Sequence, residues 1–119
     1  MAIRSEEDQC RMELDELRRE LLRMEGEERF FMADYRAGAD PYDYFYNARH
    51  MMDYTDRMID NINDVLAFNC KPSANKDLES VVEQMQRIVD NMEDSLTDPV
   101  QAVRDLSSLS KRVKDVLKL

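Results

Sequence analysis

Apolar residues along the chain recur at steps of three and four, the spacing that lines one face of an α-helix. In the first third they fall at Ile3, Cys10, Leu14, Leu17, Leu21, Met24, Phe31 and Tyr35, with Glu7 and Glu28 filling the two gaps. That pattern predicts one long helix over residues 3–35 with a heptad seam. The run Ala37, Gly38, Ala39, Asp40, Pro41 supplies a stop and a new start, because proline at a first helical position has no amide to leave unpaired. A second helix over 41–69 follows, with Tyr44, Phe45, Ala48, Met51, Met52, Thr55, Met58, Ile59, Ile62, Val65 and Leu66 on one broad face. After Lys71 to Asn75, a third helix over 75–96 carries Leu78, Val81, Val82, Met85, Ile88, Val89, Met92 and Leu96. The Thr97-Asp98-Pro99 signal opens a fourth over 99–118, with Val100, Val103, Leu106, Leu109, Val113, Val116 and Leu117.

Short connections turn consecutive helices back on one another, so the expected fold is all-α: an up-down four-helix bundle in a single domain. Length then suggests a division of the molecule. At 1.5 Å per residue the first two helices are about 50 and 43 Å long and the last two about 30 Å each. The short pair is therefore expected to leave the far end of the first hairpin uncovered. That end holds Phe30, Phe31, Met32 and Tyr35, then Tyr42, Tyr44, Phe45 and Tyr46. Helical-wheel positions turn Phe31, Tyr35, Tyr44 and Phe45 toward the seam and Phe30, Tyr42 and Tyr46 away from it. Aromatic side chains on an uncovered end are what protein interfaces favour, which makes Phe30, Met32, Tyr42, Tyr44 and Tyr46 the candidate contact residues. The expected partner is a protein, and a second copy of the chain fits that description.

Composition agrees with a helical domain and narrows the partners. Two glycines and three prolines in 119 residues leave few turns. A formal charge of −9 disfavours nucleic acid and anionic membranes, both of which require clustered cations. No apolar run is long enough to span a bilayer, and the acidic opening MAIRSEEDQC lacks the apolar run of a secretory leader, so a cytoplasmic location is expected. Cys10 and Cys70 are too few and too far apart in sequence for a disulfide framework, and are expected as reduced thiols.

The first helix has a second possible use. In its heptads, arginines occupy the e positions (Arg4, Arg11, Arg18) and glutamates the g positions (Glu6, Glu13, Glu20, Glu27). This arrangement matches g with the following e in a parallel homodimer and opposes like charges in an antiparallel one. Cys10, Leu14, Leu17, Leu21 and Met24 would form the seam of such a zipper. One narrow seam cannot face both a copy and its own chain.

Candidate chemistry is sparse. The one histidine, His50, is placed on the polar side of the second helix, and no phosphate-binding loop, paired-cysteine motif or cofactor motif is present. Glu25-Gly-Glu-Glu28 and Asp53-Tyr-Thr-Asp56 fall at similar heights in an antiparallel hairpin. This pair of motifs resembles the all-α nucleotide pyrophosphohydrolases. The resemblance implies Mg²⁺-dependent hydrolysis of nucleoside triphosphates, with Glu25, Glu28, Asp53 and Asp56 holding the metal. The leading expectation is instead a non-enzymatic interaction module acting as scaffold, adaptor or inhibitor, without cofactor or metal.

Overall fold

The computed structural model describes residues 5–38, 40–94 and 98–119, except for the side chains at 41–45 and 47. The described residues form four α-helices with no strand. Helix α1 spans Glu6–Arg36, α2 Pro41–Ala67, α3 Asn75–Glu93 and α4 Pro99–Leu117. They pack as a bundle measuring 53 × 25 × 24 Å. Ile3 and Leu96, assigned to the first and third helices from the sequence, lie outside the described residues.

Local chemistry fixes the helix ends. Ser5 caps α1, its Oγ accepting from the Asp8 amide at 3.2 Å, while Glu6, Glu7 and Asp8 place negative charge at the positive end of the helix dipole. Asp98 caps α4 in the same way, accepting from the Val100 amide at 2.9 Å. Gly38 takes the left-handed conformation (φ 73°) in the turn after α1, where a Cβ would be strained. At the end of α2, Asn69 takes that conformation instead (φ 53°). Its amide bonds the Leu66 carbonyl and the Cys70 amide bonds the Val65 carbonyl, both at 3.1 Å. This paired closure stops α2 two residues before the expected boundary and fixes where Cys70 leaves the helix.

Tertiary contacts run in opposite directions along α1 and α2. Cys10 meets Cys70, Glu13 Oε2 accepts from Asn61 Nδ2 at 3.2 Å, and Met24 Sδ lies 3.8 Å from Thr55 Oγ1. The core is the predicted one: Leu17, Leu21, Met24 and Phe31 from α1 meet Met51, Met58, Ile62 and Val65 from α2. Leu78, Val81 and Met85 of α3 and Val103, Leu106, Val113 and Leu117 of α4 complete it. Each such side chain contributes about 1.5 to 3 kcal/mol through apolar area removed from water. Two buried hydroxyls are satisfied within their own helices: Thr55 donates to the Met51 carbonyl and Ser110 to the Leu106 carbonyl.

Two expectations need correction. Cys10 and Cys70 are not free thiols; they are joined as a disulfide with Cα atoms 5.5 Å apart, inside the range that bridge requires. Sequence distance was misleading because the antiparallel hairpin brings the start of α1 beside the end of α2. The length argument also misplaced the fourth helix. Ser107 of α4 bonds Glu28 of α1, and Pro99 lies about 12 Å further along, roughly level with Arg36. Helix α4 thus reaches toward the aromatic end, whereas α3 starts just after Cys70 and runs back along α2, with Val82 and Glu83 near Asn63. The longest stretch of α1 without a buried side chain is its start, Glu6–Glu16.

Candidate functional site

Phe31 is fully buried, whereas its neighbour Phe30 is 68% exposed, a split that follows from the 100° between successive helical residues. Tyr46 at the start of α2 is 63% exposed, its ring centroid 4.8 Å from that of the half-buried His50. Met32 is half-buried and packs against the core. Tyr35, expected toward the seam, is 42% exposed because the hairpin ends there. The side chains of Tyr42, Tyr44 and Phe45 lie outside the described residues.

Three exposed apolar positions, Met12, Leu22 and Phe68, were missed from the sequence, and Leu22 is the most open of them. Leu22 is 59% exposed, and with Gly26 and Phe30 it falls within an arc of about 80° on the outside of α1. Gly26 sits in the helix interior, where glycine costs about 1 kcal/mol relative to alanine. Nothing among the described residues requires it, since a Cβ there would meet none of their atoms within 4 Å. Leu22 could have been found as the member of the Leu21-Leu22 pair that breaks the heptad register.

The heptad seam itself faces its own chain. Leu17, Leu21 and Met24 are buried against it, Leu14 is half-buried at the core's edge, and Cys10 is bonded to Cys70. Two of the flanking charges are engaged within the chain: Arg11 pairs with Asp8 at 2.8 Å and Glu13 accepts from Asn61 of α2. Glu20, one of the g-position glutamates, is buried.

The four carboxylates of the hydrolase-like motifs are divided rather than gathered. Glu28 accepts from Ser107 Oγ at 2.5 Å and Glu25 pairs with Lys114 at 3.6 Å, so both engage α4. Asp56 belongs to a different set. Desolvation, then the charges of Asp53, Asp60 and Asp90, raises its carboxyl above the ordinary range, and Asp90 lies on α3. Among the described residues, no group of three or more His, Cys, Asp or Glu side chains is placed to hold a metal ion. Nor is any described helix long and apolar enough to cross a membrane.

What this arrangement offers is contact area: large apolar side chains on the outside of α1 and the start of α2, beside a packed core that holds them in place. No family model, curated protein or solved structure matches this chain.

Proposed function

We propose that this chain is a non-enzymatic helical interaction module that docks another protein on the outer face of α1 and the neighbouring start of α2. The observation that carries the reading is the exposure of Leu22, Phe30 and Tyr46, each more than half open to solvent while the adjoining Leu21 and Phe31 supply the core. Large aromatic and aliphatic side chains held on a rigid helix lose little entropy when a partner covers them. Gly26 between them supports the same reading, because a residue without a side chain lets a second backbone approach closely. A second copy of the chain is one partner that would fit. The cytoplasmic setting expected from the sequence sits poorly with the Cys10–Cys70 bond, since reducing compartments keep such pairs open.

The test is the double variant Leu22→Ser/Phe30→Ser. It should keep its helix content and melt within about 0.5 kcal/mol of the parent, as exposed positions do. The parent is expected to self-associate in sedimentation velocity or to retain a partner when tagged, and the variant should lose that interaction. Unchanged sedimentation together with unchanged partner capture would sink the proposal.

A further inference from the structure

A groove of about 520 Å³ runs between α1 and α2, on the half of the hairpin nearer the disulfide. Its walls carry six carboxylates, among them Glu16, Glu20, Asp60 and Asp64, against the guanidinium groups of Arg19 and Arg57. Both arginines have contacts already. Arg19 pairs with Glu16 at 3.0 Å, and the Arg57 guanidinium carbon lies 5.7 Å from the centroid of the Tyr54 ring. An acidic groove alone says little, because carboxylates are common on a chain with this charge.

Glu20 changes that. It is only 1% exposed, and its Oε1 accepts from Arg23 at 2.7 Å. Its Oε2 is buried with no hydrogen-bond donor from the described residues. A buried carboxylate oxygen without a donor is unfavourable, and a cation admitted to it by a shift of the open side chains around it, such as Arg19 and Glu16, restores what desolvation removed.

We propose that this groove binds an arginine or lysine side chain of a basic partner segment, with Glu20 as the anchor and Asp60 and Asp64 flanking it. A metal ion is the poorer occupant, since no described cluster of His, Cys, Asp and Glu side chains is arranged to hold one. A second copy is poorer too, because each copy carries a formal charge of −9. Arginine fits best: its planar fork matches a carboxylate, and its aliphatic stem can lie along Met12 at the groove wall. The site lies about 15 Å along α1 from Phe30. It does not depend on the apolar face used above, although one protein could cover both.

The test uses a short fluorescein-labelled peptide alternating arginine with alanine, and its citrulline counterpart, titrated by anisotropy at physiological ionic strength. Saturable binding of the arginine peptide alone is expected, weakened about tenfold or more in Glu20→Gln. Glu83→Gln is the control: it removes the same charge from another arginine-paired glutamate, on α3, and should change affinity less than twofold. Should Glu20→Gln fail to fold by circular dichroism, Asp64→Asn at the exposed rim takes its place and must weaken binding more than Glu83→Gln does. Equal losses in groove and control variants, equal binding of the citrulline peptide, or no saturable binding would each overturn the proposal. Leu22→Ser/Phe30→Ser should leave peptide affinity unchanged, so failure at the groove and failure at the apolar face are read separately.

Discussion

Two stretches of α1 with the same helical character are held in different ways. From Leu17 to Phe31 the helix is fixed by packing, with four apolar side chains buried against α2 and α4. From Glu6 to Glu16 it buries no side chain fully, and what ties it to the rest of the chain is the Cys10–Cys70 bond, supported by the Glu13–Asn61 hydrogen bond and by Leu14 at the core's edge. A helix of that length would be marginal in water on its own, so the start of α1 depends on continuity with the packed half and on one covalent link. The difference shows how a 119-residue chain can extend a helix beyond its core.

The packed half should break most severely. Phe31→Ala is expected to destabilise the whole fold by about 3 to 5 kcal/mol, through lost burial and the cavity left behind. Leu14→Ala, half-buried at the core's edge, should cost well under half of that. Denaturant melts with equal slopes for both variants check the ranking, and similar costs would mean that the two halves are packed alike.

Opening the disulfide comes next. It closes a loop spanning 60 residues, for which the chain-entropy relation gives about 4 kcal/mol, with measured bridges more often near 2 to 4. Reduction, or Cys10→Ser with Cys70→Ser, should lower the melting temperature accordingly. Amide hydrogen exchange should show where the loss is felt first: residues 6–16 should exchange faster while 17–31 keep most of their protection. Uniform loss along α1, or none, would remove the distinction. Mass spectrometry of the unreduced protein checks the bond itself, which removes two hydrogens.

Gly26→Ala has the opposite sign. It lies inside the packed half but on its outer side, where an added methyl meets open space. The variant should be more stable by about 0.5 to 1 kcal/mol, since alanine gives up less backbone freedom on folding. If a partner helix approaches at this position, the same change should weaken docking while it raises the melting temperature. A gain in stability with docking intact would show that no partner backbone approaches at Gly26 and leave the contact to the side chains of Leu22, Phe30 and Tyr46.

The packed half was legible in the sequence and the tethered half was not. Periodicity locates α1 to α4 to within a few residues, because each helix has one apolar face and a chemically marked end, such as Asp98-Pro99 or Asn69. Leu17, Leu21, Met24 and Phe31 follow from spacing alone. The disulfide does not, because it depends on the register of α2 against α1, and that is set by core packing far from either cysteine. The burial of Glu20 was not legible for a related reason: in a two-stranded zipper a g position only borders the seam, whereas here the residue lies in the groove between α1 and α2 and is 1% exposed. Leu22 and Gly26 fall off the heptad, so a search confined to the seam passes them by.

Charge provides the weakest hold on the bundle, and Asp56 measures it. Desolvation and the carboxylates of Asp53, Asp60 and Asp90 make its ionised form less favourable in the folded chain than in the unfolded one. The sign follows from proton binding. With the folded pKa above the unfolded value, the folded state holds more protons across the interval between them, so stability falls as pH rises through it. At about pH 3 the group is largely protonated in both states and exerts little effect; near neutrality the penalty is fully present. Asp56→Asn should therefore match the parent in acid and become more stable than it as pH rises past the ordinary carboxylate range. Because Asp56 is exposed, solvent screening limits the gain to a few tenths of a kcal/mol. Melting curves at low ionic strength should resolve it, and added salt should shrink it as the three neighbouring charges are screened. An advantage for Asn that is equal in acid and at neutrality would show that the change acts through packing or helix propensity, and that the carboxylates between α2 and α3 do not oppose folding.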